Sequence, residues 1–133
     1  MLSVSLETSR DVLTFDRESG RLVSMRPHGS PDAELLASCE DDPAFVLQYL
    51  DASGRYCALD SREAEAVTVT PGPVGRQSAT FLFSRAGGLD LDVSLTVRTD
   101  AGDRFSRWSA TVRNGCGLRI VDLQSPFVVV PHV

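Results

Sequence analysis

The chain has 133 residues, of which 42% are hydrophobic and 23% charged; this length suits one domain, and the composition suits a packed core rather than disorder. Its 18 acidic residues outweigh 13 basic ones for a net charge of −5, a sign that opposes a nucleic-acid backbone. No apolar run approaches the roughly 20 residues that span a bilayer, so neither nucleic acid nor a membrane is an expected partner.

Every basic residue is an arginine. Codon bias in a GC-rich genome explains this better than selection for anion contacts, because the arginines are scattered along the chain. The N-terminus, Met1-Leu2-Ser3-Val4-Ser5-Leu6-Glu7, lacks the basic start and apolar block of a signal peptide. The three cysteines, Cys39, Cys57 and Cys116, form no CxxC or CxxH pair. They are therefore expected as free thiols packed like small hydrophobes, in a reducing cytoplasm, with no metal or other cofactor.

Taken in chain order, the dominant pattern is a period of two, the mark of strands with one buried face. Leu2, Val4 and Leu6 alternate with Ser3, Ser5 and Glu7. A hairpin is expected around Glu18-Ser19-Gly20. The only stretches that could turn helically are Pro31-Asp32-Ala33-Glu34-Leu35-Leu36-Ala37, with a proline start, and Ser61-Arg62-Glu63-Ala64-Glu65-Ala66. Phe45, Leu47 and Tyr49 share one face of a strand whose other face carries Val46 and Leu50, so this strand is expected to be central.

Val67 and Val69 then alternate with threonines, and Ala79, Phe81 and Phe83 share a parity. The clearest strand is 90–98, with Leu91, Val93, Leu95 and Val97 on one face and Asp90, Asp92, Ser94, Thr96 and Arg98 on the other. A helix would scatter those aliphatics around its circumference. In 107–113, Trp108, Ala110 and Val112 fall on the face expected to be buried. The turn at 100–103 is short enough to make the 90–98 and 107–113 strands neighbours. About ten short strands joined by such turns describe an all-β antiparallel sandwich with at most one or two short helical turns.

The chemistry-bearing residues are sparse. His28 lies in a Pro-His-Gly loop and His132 near the end. No GxSxG elbow is present, and neither histidine has a metal partner at a ligand spacing. Acids are plentiful, as in Glu40-Asp41-Asp42, but nothing selects the facing carboxylate pair of a glycosidase; that run reads as a solvated loop. Sugars stack on exposed rings, and here parity assigns Trp108 to the core. Tyr49 and Tyr56, which flank the 51–54 turn, together with His28, are the candidate sugar contacts, with packing or surface roles as the competing reading. The segment Phe127-Val128-Val129-Val130 is apolar on both faces, so it is expected either to sit inside the sandwich or to be covered by a downstream domain or a second copy.

Two stretches carry a resemblance. Asp16-Arg17-Glu18-Ser19-Gly20-Arg21-Leu22-Val23-Ser24-Met25 resembles the "D-x-x-x-G-x-L-x-x-L/I" strand–turn–strand opening of N-terminal sandwich domains in bacterial glycoside hydrolases. Trp108-Ser109-Ala110-Thr111-Val112-Arg113-Asn114, followed by 118–123 and Pro126, is similar to their "W-x-x-x-V-x-N … I-x-x-V/L … P" ladder. These domains belong to the galactose-mutarotase-like supersandwich class. The resemblance implies a non-catalytic sandwich that precedes and supports a catalytic domain or aids sugar binding. A complete supersandwich is about twice this length, so 1–133 would be the first half of a longer protein. No residue here matches the catalytic histidines and glutamate of the mutarotases, so no catalytic residue is carried over. The other expectation is a free-standing binding or assembly module that self-associates through its apolar C-terminal strand.

Overall fold

The structure, a computed structural model, describes residues 2–30, 32–37, 42–72, 77–100 and 102–126. It is an all-β antiparallel sandwich. Among the described residues ten strands run in chain order: β1 (Ser3–Glu7), β2 (Asp11–Asp16), β3 (Leu22–Pro27), β4 (Val46–Leu50), β5 (Tyr56–Asp60), β6 (Ala66–Pro71), β7 (Gln77–Ser84), β8 (Leu91–Thr99), β9 (Arg107–Asn114) and β10 (Arg119–Gln124). They form three sheets, with strand orders β1-β2-β3, β10-β4-β5 and β6-β7-β8-β9.

The four-stranded sheet is one layer. Both three-stranded sheets pack on its apolar face, because Phe81 and Phe83 alternate onto the same side of β7. Phe15 of β2 meets Phe81 with ring centroids 5.0 Å apart. Phe45, at the start of β4, meets Phe83 edge-on, also at 5.0 Å. Offset and edge-on geometries of this kind are favoured by the ring quadrupole. The expected alternation in β8 holds: Leu91, Val93, Leu95 and Val97 are all buried. β4 is central in its sheet, with Phe45 and Leu47 fully buried and Val46 and Leu50 partly covered.

The β2–β3 hairpin shows why its motif has that form. Asp16 accepts hydrogen bonds from the Glu18 N–H and the Ser19 hydroxyl, and Gly20 follows at φ +70°. A Cβ on Gly20 would lie within 2.5 Å of the Phe83 ring, so glycine is required both by the left-handed turn and by the ring beneath it. Asp16 and Gly20 are thus structural residues.

Among the described residues, helix is confined to two 3-10 turns. One, Ser61–Glu63, carries a reciprocal cap between Asp60 and Glu63; the other is Ala86–Gly88. The helical turn expected at 31–37 does not form in the described residues 32–37. There Glu34 turns its carboxylate onto the backbone, accepting the Met25 N–H at 2.9 Å and the Leu36 N–H at 3.5 Å. Leu35 N–H donates to the Met25 carbonyl, so the loop runs along the edge of β3. A side chain that captures nearby amides competes with the helix that would otherwise use them.

β8 and β9 pair antiparallel, as their short connection implies, with Val97 opposite Trp108, Leu95 opposite Ala110 and Val93 opposite Val112. The burial expected for β9 is incomplete. Trp108 and Val112 are half-buried and Ala110 is exposed. The parity is right, because these three residues share the face of buried β8 residues. Phe15 of β2 lies over Trp108, and Val112 packs against the core, but among the described residues the cover leaves Ala110 between them exposed.

Candidate functional site

The three candidate sugar contacts do not converge. Tyr49 stands opposite Cys57, and Leu50 opposite Tyr56. Cross-strand partners share a face and successive residues alternate, so Tyr49 and Tyr56 lie on opposite faces of their sheet. Tyr49 packs partly against the core. Burial pushes its phenol up from the ordinary range, with Cys57 and nearby acids adding to the effect, which keeps it neutral. Tyr56 is 76% exposed. His28 belongs to the other three-stranded sheet, just beyond β3.

His28 has a definite role in the structure, as a brace. Its Nε2 donates to the Thr8 carbonyl at 2.9 Å, which fixes the proton on Nε2. Its backbone N–H donates to the Arg10 carbonyl. Both bonds hold the turn between β1 and β2. Within that turn the buried Thr8 hydroxyl donates to Asp11 Oδ1 at 2.6 Å and accepts the backbone N–H groups of Arg10 and Asp11. From the far side, the Ser9 N–H donates to the Asp103 carbonyl in the β8–β9 connection. A four-residue turn is thereby fixed from three directions.

A cleft of about 370 Å³ opens beside this turn. Leu13 and Met25 form its floor, Leu35 one wall, and Arg10, Arg104 and Phe105 its rim. Phe105 is 69% exposed, and the Arg10 guanidinium lies 6.0 Å from its ring centroid, at the outer limit of a cation–π contact. The Thr8-Ser9-Arg10-Asp11 run, a hydroxyl three residues before a carboxylate, was the available sequence signal for this turn. No periodicity or spacing marked the cleft.

Elsewhere the candidates lie apart. Of the Glu40-Asp41-Asp42 run, Glu40 and Asp41 lie outside the described residues, and Asp42 borders a separate cleft of about 280 Å³ with Glu18, Arg62 and Glu65. Among the described residues, no group of three or more His, Cys, Asp and Glu side chains gathers within reach of one metal ion. Cys57 is a half-buried free thiol, whereas Cys116 is free but exposed and does not pack as a small hydrophobe. Cys39, His132 and the segment 127–130 lie outside the described residues. No helix among the described residues is long and apolar enough to cross a membrane. No protein-family model matches the chain, and no curated protein matches it.

Proposed function

We propose that this chain is the non-catalytic β-sandwich portion of a carbohydrate-active, glycoside hydrolase-like enzyme, acting in the cytoplasm as the support against which a catalytic domain is seated. One observation carries the reading. Leu95 of β8 is 2% exposed, while Ala110, directly opposite it on the same face of β9, is exposed. Among the described residues, the cover over β8 is thus not continued over Ala110 of β9.

The gap continues into β10. Ile120 pairs with Tyr49 and Leu123 with Leu47, so they lie on the inner side of their sheet, yet Ile120 is 36% exposed. An apolar seam bounded by edge strands calls for further polypeptide. In this reading, that polypeptide is the downstream domain, which the chain also meets through Phe127, Val128, Val129 and Val130. The Trp108-to-Asn114 and Asp16-to-Met25 motifs supply the carbohydrate-enzyme part of the proposal, and the free thiols support a reducing compartment.

A second reading, a free-standing module that pairs with its own copy, is favoured by the same β9 edge, whose four outward residues are all exposed. The test is Ala110→Arg, placed both in the isolated chain and in the product of the whole reading frame that contains it. The expected result is an unchanged isolated chain and, in the longer product, a lowered Tm with loss of aryl-glycoside hydrolysis. An arginine tolerated equally in both, or a reading frame that ends at Val133, would contradict the proposal. In the latter case, concentration-dependent dimerisation abolished by the same arginine would establish the second reading.

A further inference from the structure

The cleft beside the β1–β2 turn carries an inference that does not depend on the seam. Charge is the first consideration. Arg26, Arg62, Arg85, Arg98, Arg107 and Arg113 each pair with a carboxylate. Arg10 and Arg104 share the rim of one cleft, and among the described residues neither forms a salt bridge. In a chain where acids outnumber arginines, two arginines without an ion pair on one cleft, against the single acid Asp11 in its lining, favour an anion there against the overall charge.

Shape is the second. The cleft's volume falls in the range of small-molecule sites. Its floor is apolar, with Leu13 only 1% exposed, and Phe105 presents an open ring beside Arg10. Rigidity is the third. Arg10 sits on the turn that Thr8, His28 and Asp103 hold in place, so the backbone that carries its side chain needs little ordering on binding.

We infer that this cleft binds a carboxylate carried on a six-membered ring. The carboxylate meets Arg10 and Arg104, and the flat face of the ring lies against Phe105 above Leu13 and Met25. Asp11, the acid in the lining, has Oδ1 engaged by Thr8 and leaves Oδ2 to accept a ligand hydroxyl. A sugar acid and an aromatic acid share this chemistry, and His28 is a positioning residue for the turn.

Titration of the ¹⁵N-labelled chain with glucuronate, benzoate and glucose, followed through the amides of Arg10, Asp11, Phe105 and Ser106, tests the inference. Saturable shifts are expected with at least one of the two acids, and weaker or none with glucose. Arg10→Gln and Arg104→Gln, both at exposed positions, should each weaken acid binding about tenfold, the scale of one lost charge-assisted hydrogen bond. Phe105→Leu should weaken it without disturbing the rest of the spectrum. Binding of benzoate alone would uphold the site while leaving the carbohydrate reading without support from it. Failure of both acids to bind, equal affinity for glucose and glucuronate, or affinities unchanged in both arginine variants would overturn the inference.

Discussion

Asn114 holds both ends of one residue: its Oδ1 accepts the Leu118 N–H at 3.1 Å, and its Nδ2 donates to the Leu118 carbonyl at 2.6 Å. The turn so closed is the point at which the chain leaves the four-stranded sheet and enters the sheet of β4 and β5. The asparagine that ends the Trp108-to-Asn114 motif thus joins the two layers. Asn114→Ala should destabilise the chain by about 1–2 kcal/mol, the scale of two partly exposed hydrogen bonds. Asn114→Asp keeps the acceptor and loses the donor, and should fall in between. Urea denaturation measures both, and an alanine variant as stable as the parent would contradict this role.

Trp108 packs its indole against Phe15 at 5.6 Å between centroids, and its Nε1 donates to the Ser106 hydroxyl at 2.9 Å. Full burial would make Trp108→Ala cost roughly 3–5 kcal/mol. At half-burial the loss should be nearer 2 kcal/mol by the same scaling. The chain has one tryptophan, so its fluorescence should peak between the buried and solvated extremes and shift red on unfolding. A fully solvated emission from the native chain would refute the packing.

Glu34 ties its loop to β3 and sets Leu35 in the wall of the cleft. Burial raises its carboxyl pKa, but hydrogen bonds from Ser24, Met25 and Leu36, with the Arg26 charge, outweigh that and hold it below its ordinary 4.5. A depressed carboxylate contributes stability that is present above pH 4.5 and is lost as the pH falls through the lower, folded value. Acid should therefore release residues 32–37 from β3. Glu34→Gln should cost about 1 kcal/mol at neutral pH, reduced from a buried charged bond by partial exposure, and should flatten this part of the acid limb. A ¹³C titration placing the Glu34 carboxyl at or above 4.5 would contradict it.

His28 braces the β1–β2 turn through its Nε2 and backbone. His28→Ala should lose about 1 kcal/mol, the net worth of one hydrogen bond. It should also speed amide exchange at Arg10 and Asp11 while leaving the β7–β8 ladder protected. Unchanged exchange in the turn would show the brace to be idle.

The strands were legible where alternation met cover on both sides. β8 lies between β7 and β9 beneath both smaller sheets, so parity alone located Leu91, Val93, Leu95 and Val97. For β9, parity gave the face of Ala110 but not its burial, because alternation says which way a side chain points and not what lies above it. The loop at 31–37 read as helical from its proline and helix formers, and the Glu34 carboxylate decided otherwise. Tyr49 and Tyr56 looked adjacent across a turn, yet a register offset of one residue puts them on opposite faces. The cleft was hidden because Arg10, Leu13, Met25, Leu35 and Phe105 come from four separate parts of the chain, brought together by the β2–β3 ladder, the Leu35–Met25 bond and the Ser9–Asp103 bond.

Hydrogen exchange along β9 tests the central claim most directly. Amides of β9 that are not bonded to β8, in residues 107–114, should exchange rapidly in the 133-residue chain at low concentration. In the longer product of the reading frame they should be protected by at least an order of magnitude, as expected when an open edge is paired or covered. Equal and rapid exchange of these amides in both proteins would show that nothing seats on the seam, and would contradict the account of this chain as a supporting sandwich.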